Sequence, residues 1–334
     1  MGRIPNHSRP HILYRRILMK PFIVVPDGFD KTLFEELKKN SNLEVHPTSK
    51  VSQDELKALL PRVDGLIIRS ATTVNAELLA LAPKLKIVIR AGEGTDNIDK
   101  TLCAEKGVKV ANTPGANNNS AAEQAVALMM SCLRNTPFAD KTMHEGKWEK
   151  NALTGLELWK KKVGIVGFGR IGQIVAKRIS GFEPEIYFFD PITETCDIAN
   201  SKKCLDLKQI FSECDIITIH TPLMPQTKGM INAELLGMMK KDAILINAAR
   251  GGIVDEDALY TILKDKKIRA AGFDVFAVEP LPAGSKLTEL SNLIMSPHVG
   301  ASTEEAQFRV GEMAVHQMNE FFVNNNLLNE VKGK

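Results

Sequence analysis

Short apolar runs alternate with amphipathic helical segments along almost the whole chain, beginning near Pro21. In the first half these runs predict strands at residues 22–25, 65–70, 85–92 and 108–112, and helices at residues 31–40, 54–60, 76–82 and 100–106. Continuous apolar strands that alternate with helices are typical of a parallel sheet covered by helices on both faces. The pattern therefore predicts an α/β unit in the first half of the chain.

The same alternation resumes after a long helix that is predicted from Ser120 to about Arg134. Ser120 and Glu123 have the spacing of a capping box, which would start this helix. Further strands are predicted at residues 162–167, 185–190, 215–220, 243–249, 270–276 and 292–298, and a last helix at residues 304–323. This second series predicts a second α/β unit.

Length and composition agree with two ordinary globular domains. The chain has 334 residues, 44% hydrophobic and 25% charged, and a domain typically has about 150 residues. No apolar run reaches the roughly 18 residues that a membrane span needs, so no membrane partner is predicted. The five cysteines are odd in number and show no C-x-x-C spacing. They therefore disfavour a zinc cage or disulfide framework and favour a reducing, cytoplasmic compartment.

The charge distribution does not favour a nucleic-acid partner. The net charge is +3, and residues 1–20 carry five basic residues and no acidic ones, so the remainder sums to −2. A nucleic-acid-binding domain would concentrate basic residues on one face. Residues 1–18 lack a secretory apolar core because Arg15 and Arg16 interrupt it, and we expect them to form a disordered extension.

The most informative motif is G-F-G-R-I-G, from Gly167 to Gly172, which follows an apolar strand and opens a helical segment. In this context G-x-G-x-x-G is typical of a dinucleotide-binding turn. Gly167 permits the tight turn, Gly169 lets the backbone approach a pyrophosphate, and Gly172 lets the helix pack against the strand. The first N–H groups of the helix would bind the anion.

Asp190 ends the next predicted strand, 18 residues after Gly172. An acidic residue near this spacing hydrogen-bonds to the ribose hydroxyls of the cofactor. The following residues, Pro191, Ile192 and Thr193, provide no cation for a 2′-phosphate. The sequence therefore predicts NAD rather than NADP.

Arg250, Glu279 and His298 each follow a predicted strand of the second unit. Since the carboxyl ends of strands in a doubly wound sheet converge on one crevice, we expect these side chains to meet there. The arginine can bind a carboxylate bidentately, the histidine can exchange a proton with a hydroxyl group, and the glutamate can fix the histidine tautomer. Each residue alone is more typical of an ordinary surface loop, but together, downstream of a dinucleotide turn, they suit oxidation of a 2-hydroxy acid.

Several motifs together resemble the D-2-hydroxyacid dehydrogenase family. They are GFGRIG, HTPL at 220–223, NAARGGIVDEDAL at 247–259, DVF with EP at 274–280, SPHVGAST at 296–303, IIRSAT at 67–72 and RAGEGTDNID at 90–99. The resemblance extends from about Met19 to the C-terminus and implies an α/β fold of two doubly wound parallel-sheet domains. A Rossmann nucleotide-binding domain would occupy residues 119–302, and a flavodoxin-like substrate domain residues 19–118 and 303–334.

The resemblance also implies roles for individual residues. Arg250, Glu279 and His298 would be the catalytic set. NAD would contact Gly167, Gly169, Arg170, Ile171, Gly172, Asp190, Thr221, Pro222, Ala249, Asp274 and Gly300, and the substrate would contact Arg69, Ser70, Arg90, Gly92, Arg250 and His298. No metal is implied. The segment 121–150 suggests a homodimer, in which Lys150 would reach the neighbouring subunit's site.

Arg69 and Arg90 favour a phosphorylated substrate, because a guanidinium group matches two phosphate oxygens. Among members of the family, the resemblance is strongest to those that oxidise 3-phosphoglycerate to 3-phosphohydroxypyruvate with NAD in serine biosynthesis. Glu93 departs from their common pattern, and a carboxylate facing a phosphate would repel it. Reduction of hydroxypyruvate or glyoxylate is therefore one alternative, and an NAD-sensing, corepressor-like binding protein is an alternative of another class.

The chain ends about 30 residues after Thr303. This length leaves no room for an appended regulatory domain. We therefore expect no feedback inhibition by serine through such a domain.

Overall fold

The computed structural model describes residues 19–333, which divide into two compact units. The first comprises the described residues up to Ala91, Thr95–Asn112 and those from Ala314 onward, and the second comprises Gly92–Gly94 and Thr113–Met313. The disordered extension predicted at residues 1–18 lies outside the described residues.

The first unit contains a five-stranded parallel sheet and short helices. Its strands are β1 (Phe22–Val24), β2 (Glu44–Val45), β3 (Gly65–Ile68), β4 (Ile87–Arg90) and β5 (Lys109–Asn112), and its helices are α1 (Lys31–Lys39), α2 (Gln53–Leu59), α3 (Ala76–Leu81) and α4 (Lys100–Glu105). The strand order is β2-β1-β3-β4-β5, with every pair parallel. This is the flavodoxin-like order of a doubly wound sheet.

Local sequence fixes where the helices of the first unit begin. The side chains of Asp30, Ser52, Asn75 and Asp99 each accept a hydrogen bond from a backbone N–H in the first turn of the helix that follows. Such caps satisfy donors that the helix itself leaves unpaired. Strands β1, β3 and β4 are almost completely buried, as their continuous apolar sequences predict, whereas the short β2 is not.

The second unit contains a seven-stranded parallel sheet. Its strands are β6 (Lys162–Val166), β7 (Glu185–Phe189), β8 (Ser201–Lys203), β9 (Ile216–Ile219), β10 (Ile244–Asn247), β11 (Ala270–Phe273) and β12 (Leu293–Met295). Its helices are α5 (Asn118–Arg134), α6 (Thr136–His144), α7 (Arg170–Ile179), α8 (Leu207–Glu213), α9 (Ala233–Met238) and α10 (Glu256–Lys264). The division between the units falls within α11 (Glu304–Val323).

The order of the second sheet is β12-β11-β10-β9-β6-β7-β8, again with every pair parallel. The order reverses between β6 and β9, and ligands of such sheets bind outside the carboxyl ends of the strands at this switch point. One apolar cluster, with α5 and α7, covers one face of the sheet, and another, with α8, α9 and α10, covers the other. The predicted class of two doubly wound parallel sheets is confirmed.

The start of α5 differs from its prediction. The helix begins at Asn118, so Ser120 lies inside it rather than at its cap. The hydroxyl group of Ser120 is 2.7 Å from Oγ1 of Thr303. The capping-box prediction is therefore wrong, because Asn118 and Asn119 continue the helix and a distant residue binds the serine hydroxyl group.

Burial keeps several thiols in their neutral form. It raises the pKa of Cys103 to about 11 and the pKa values of Cys132 and Cys214 to about 12. All five cysteines are free. Within residues 19–333, no helix is both long and apolar enough to cross a bilayer, and no cluster of three or more His, Cys, Asp or Glu side chains could hold a metal ion.

Candidate functional site

The glycine-rich turn between β6 and α7 has the geometry of a ligand cradle. Gly167 adopts φ +91°, and a Cβ there would lie 2.7 Å from the carbonyl carbon of His220. A Cβ on Gly172 would collide with the carbonyl oxygen of Gly167, whereas a Cβ on Gly169 would have no atom within 4 Å. Two glycines therefore permit close packing, and the third borders open space that a ligand can enter.

The helix that follows this turn begins without a side-chain cap. Gly169 is the N-cap residue of α7, and among the residues that the structure describes no side chain caps the first N–H groups of the helix. These N–H groups and the cationic Arg170 at the first helical position favour an anion at this end of the helix. The structure thus places the predicted pyrophosphate residues on one helix N-terminus.

Asp190 follows β7 beside this turn. Its carboxylate accepts the backbone N–H groups of Phe168 at 2.7 Å, Ile192 at 2.8 Å and Thr193 at 2.9 Å. Partial burial acts to raise the pKa of Asp190, but these donors outweigh burial and lower it. The carboxylate is therefore ionised and fixed where the ribose of a dinucleotide is expected.

The segment after β9 presents a buried hydroxyl group without a partner. Among the described residues, no group hydrogen-bonds to Oγ1 of Thr221, although this atom is buried. Such an atom costs free energy unless a ligand or water binds it. The adjacent Pro222 accepts the Thr227 hydroxyl group at 2.6 Å through its carbonyl oxygen. Together with the turn and Asp190, the unpaired hydroxyl group fits a dinucleotide cofactor.

Two other predicted cofactor residues contribute to packing. Ile171 and Ala249 are half-buried and pack against the two apolar clusters of the second unit. Ile171 lies in the first turn of α7, after β6, and Ala249 lies in the turn after β10.

Asn247, at the end of β10, holds the turn that carries Arg250. Its side chain accepts the N–H of Ala249 at 3.1 Å and donates to the carbonyl oxygen of Arg250 at 3.0 Å. Gly251 packs so closely against the carbonyl group of Phe276 that a Cβ would collide with it. The Arg250 turn and the turn after β11 are therefore in direct contact.

Glu279 and His298 form a short hydrogen-bonded pair. Oε2 of Glu279 lies 2.6 Å from Nδ1 of His298, and Oε1 accepts the N–H of Phe276 at 2.9 Å. Burial acts to raise the pKa of Glu279, but His298, the Phe276 N–H and the charge of Arg250 outweigh it and lower the pKa. Because an ionised Glu279 can only accept a hydrogen bond, Nδ1 of His298 carries the proton. Nε2 is then the unprotonated ring nitrogen, and it lies outside the pair.

Asp274 holds the loop of His298. Its carboxylate accepts the N–H groups of Val299 at 2.9 Å and Gly300 at 2.8 Å, and the hydroxyl group of Ser296. His298 itself adopts φ +53° and donates its N–H to the Asp274 carbonyl oxygen at 2.8 Å. Asp274 is 1% exposed. Asp274 and Gly300, both predicted to contact the cofactor, therefore take part in the hydrogen bonds that hold the His298 loop.

Sequence reasoning missed two residues that support the same loops. Glu256 accepts the N–H of Ala277 at 2.6 Å, and the amide of Gln124 donates to Ser296 at 2.9 Å. Burial, and to a smaller extent the charges of nearby acidic residues, raises the pKa of Glu256. The hydrogen bond from Ala277 opposes this effect but does not outweigh it. Acidic residues are common in the first turn of a helix, so nothing in the sequence distinguishes Glu256 as the partner of Ala277.

In the first unit, Arg69 and Arg90 stand at the carboxyl ends of β3 and β4, where Ile68 pairs with Arg90. Asp27 accepts the backbone N–H of Arg69 at 2.6 Å, and the Asn97 amide donates to the Arg69 carbonyl oxygen at 2.8 Å. Burial lowers the pKa of Arg69, and the charge of Asp27 opposes this effect. The two predicted phosphate-binding arginines are thus neighbours at one sheet edge.

The remaining predicted substrate residues have simpler surroundings. Ser70 is exposed next to Arg69, and the carbonyl oxygen of Gly92 accepts the N–H of Thr113 at 3.2 Å. Lys150 is exposed in the segment that follows α6.

Glu93 belongs to the second unit and is engaged there. Its Oε2 accepts the N–H of Gly115 at 2.6 Å, and its Oε1 lies 3.4 Å from Nη1 of Arg170. Glu93, the residue that departs from the family's common pattern, therefore contacts the arginine that follows the cofactor turn.

Comparison with known proteins agrees with this geometry. The family model described as D-isomer specific 2-hydroxyacid dehydrogenase, NAD binding domain, matches residues 126–300. The chain is similar to a hydroxypyruvate reductase of Thermotoga maritima, with 46% identity over 86% of this chain and 94% of the relative. It is 42% identical to a D-3-phosphoglycerate dehydrogenase of Mycobacterium bovis, over 87% of this chain but only 55% of the relative. The chain thus spans about half the length of that dehydrogenase.

A solved structure agrees as well. The NAD-dependent formate dehydrogenase of Staphylococcus aureus in complex with NAD matches with a TM-score of 0.83 and 29% identity, covering 95% of this chain and 100% of the other. The predicted family and its cofactor are thereby confirmed. With its parallel sheets, dinucleotide turn and strand-end Arg, Glu and His, the chain belongs to the NAD-dependent D-isomer specific 2-hydroxyacid dehydrogenase family.

Proposed function

We propose that this dehydrogenase interconverts 3-phosphoglycerate and 3-phosphohydroxypyruvate with NAD, as an entry step of serine biosynthesis. The observation that carries the proposal is the pair of arginines, Arg69 and Arg90, at adjacent strand ends of the first unit. Two arginines at adjacent strand ends suit a doubly charged phosphate better than a neutral hydroxyl group. The similarity to D-3-phosphoglycerate dehydrogenases supports it.

Arg250 would bind the carboxylate of the substrate and polarise the neighbouring oxygen at C2. Its backbone is fixed by Asn247, and its charge is close enough to lower the pKa of Glu279. A guanidinium group can form two parallel hydrogen bonds to a carboxylate, which orients C2 as well as binding the acid. NAD supplies the hydride acceptor when it is bound.

His298 would exchange the proton of the C2 hydroxyl group. In oxidation, Nε2 accepts this proton and the resulting imidazolium is stabilised by the ionised Glu279 at 2.6 Å. In reduction, Nε2 returns the proton to the oxygen of the 2-oxo acid. Glu279 keeps the ring in the orientation and tautomer that both directions require.

A second candidate is reduction of hydroxypyruvate or glyoxylate. The similar Thermotoga protein, matched over 94% of its length, is a hydroxypyruvate reductase.

We also propose that the first unit is the substrate domain, the second unit the cofactor domain, and the enzyme a cytoplasmic homodimer. The segment from α5 through Lys150 exposes large apolar side chains, with Phe138 45%, Met143 54% and Trp148 80% exposed. Exposed apolar side chains grouped in this way are typical of a protein interface. Sedimentation at several concentrations, with Trp148→Ser compared to the unchanged chain, tests the dimer.

The substrate is tested by NADH oxidation with 3-phosphohydroxypyruvate and hydroxypyruvate. Arg69→Ala should lower kcat/KM for the phosphorylated acid by about 10- to 100-fold, the value of a charge-assisted contact, and change hydroxypyruvate turnover little. Arg62→Ala, which removes an exposed arginine of the same unit, is the matched control.

Equal losses of kcat/KM on both acids would show that Arg69 does not recognise the phosphate group. A preference of the unchanged enzyme for hydroxypyruvate would establish the second candidate. NADH binding without turnover of either acid would favour the binding-protein alternative.

A further inference from the structure

Glu93 and Arg170 form an ion pair beside the dinucleotide turn, at the start of α7. Oε1 of Glu93 lies 3.4 Å from Nη1 of Arg170, whose side chain is 67% exposed. Arg170 is the first residue of α7, next to the uncapped Gly169. The guanidinium group expected at the cofactor's pyrophosphate is therefore already in contact with an internal anion.

The other oxygen of Glu93 is anchored. Oε2 accepts the backbone N–H of Gly115 at 2.6 Å, and the Glu93 side chain is 33% exposed, about half as much as that of Arg170. Of the two partners, the carboxylate is therefore the more fixed and the guanidinium group the more mobile. Movement of the arginine toward a bound anion would separate the pair.

We propose that Glu93 competes with the cofactor's pyrophosphate for Arg170 and thereby weakens NAD(H) binding. Two effects of the carboxylate act in the same direction. It engages the cation that the pyrophosphate would use, and it adds a negative charge near a ligand that is itself anionic. Glu93 is thus an affinity-tuning residue of the cofactor site, and its effect is transmitted through Arg170.

The size of the effect follows from the exposure of the pair. An ion pair between partly exposed side chains contributes a modest amount and is screened by salt. We expect Glu93→Gln to bind NADH about two- to fivefold more tightly than the unchanged enzyme at low ionic strength. The gain should shrink at high salt. Glutamine keeps an oxygen that can accept the Gly115 N–H, so the loop should retain its anchor.

The test is a titration of NADH, followed by nicotinamide fluorescence in the absence of substrate. It compares the unchanged enzyme, Glu93→Gln, Arg170→Ala and the double variant. The gain from Glu93→Gln should largely disappear when Arg170 is already replaced. Glu123→Gln is the matched control, because Glu123 lies 3.9 Å from Arg178 on the same helix α7 and loses the same charge.

Three outcomes would overturn the proposal. Weaker or unchanged NADH binding by Glu93→Gln would show that Glu93 orients Arg170 onto the cofactor or does not affect it. An equal gain in the presence and absence of Arg170 would show that the effect does not pass through this arginine. An equal gain from Glu123→Gln would show a general charge effect.

Discussion

Two aspartates, one in each unit, hold the loops that carry predicted functional side chains. Asp27 accepts the N–H groups of Arg69 at 2.6 Å and Thr72 at 3.1 Å. Asp274 accepts N–H groups of the His298 loop at 2.9 and 2.8 Å. In both cases a carboxylate at the end of one strand fixes the backbone that follows the neighbouring strand. The two units therefore hold these loops by the same kind of contact.

The functional side chains themselves are held differently. The imidazole of His298 has its own carboxylate partner, Glu279 at 2.6 Å, in addition to Asp274 behind its backbone. For Arg69, the charge that favours its cationic form comes from Asp27, the same carboxylate that holds its backbone. His298, the proposed proton-transfer residue, is therefore held by two carboxylates, whereas Arg69, a proposed phosphate-binding residue, relies on one.

The largest effect is expected for the side chain that is held most firmly. His298→Ala should lower kcat by roughly 10²–10⁴-fold, because the proton exchange at the C2 oxygen loses its donor and acceptor. The dissociation constant of NADH, measured by fluorescence, should remain within about twofold since His298 is not needed for cofactor binding. A kcat within tenfold of the unchanged enzyme would contradict the role of His298.

Asp274→Asn should have the next largest effect. The amide group of an asparagine can place only one oxygen toward the loop, so its NH₂ group would face the N–H of Gly300 or Val299. Displacement of His298 by such a clash should lower kcat by about 10- to 100-fold. Steady-state kinetics at saturating NADH measure this loss.

Asp27→Asn should be milder and should act on KM. An asparagine oxygen can still accept the two backbone N–H groups, while its NH₂ group can donate to the Thr72 hydroxyl group. Only the negative charge beside Arg69 is lost, which frees this arginine for the anionic substrate and should lower KM for the phosphorylated 2-oxo acid by up to about fivefold, with kcat nearly unchanged. Equal losses of kcat in Asp27→Asn and Asp274→Asn would refute the contrast between the two units.

The smallest effect concerns the acid stability of the second unit. Burial lowers the pKa of His220 to about 4, whereas an unfolded histidine binds a proton below about pH 6.5. Between these values the unfolded chain holds more protons than the folded one, so the free energy of unfolding falls as the pH falls. His220→Asn should flatten the dependence of Tm on pH between 6.5 and 4, and the exposed His144→Asn should not.

Much of this architecture follows from sequence patterns of short range. The alternation of apolar runs predicts both sheets because each buried strand is a continuous apolar segment. The Gly167–Gly172 turn is equally predictable, since Gly167 and Gly172 meet local steric requirements and Gly169 leaves space that a ligand can enter. Strand β8 has the sequence Ser-Lys-Lys and escapes prediction, because an edge strand made of polar residues carries no apolar signal.

What sequence reasoning misses are contacts between distant segments. Asp274 reaches the N–H of Gly300, 26 residues away, and Ser120 meets Thr303, 183 residues away. Glu93 contacts Arg170 across 77 residues. The partner of a single polar side chain depends on the exact path of two loops, and no periodicity records that path. The chemical groups of the site are therefore predictable, but the network that holds them is not.

The left-handed backbone of His298 implies a trade between stability and activity. A residue with a Cβ in this conformation is less stable than a glycine by roughly 1 kcal/mol, and His298 adopts φ +53°. Glycine at this position would suit the backbone but would remove the imidazole. Variants selected only for thermal tolerance should thus tend to lose this histidine, and its proposed role in proton exchange would explain why a locally unfavourable residue is retained.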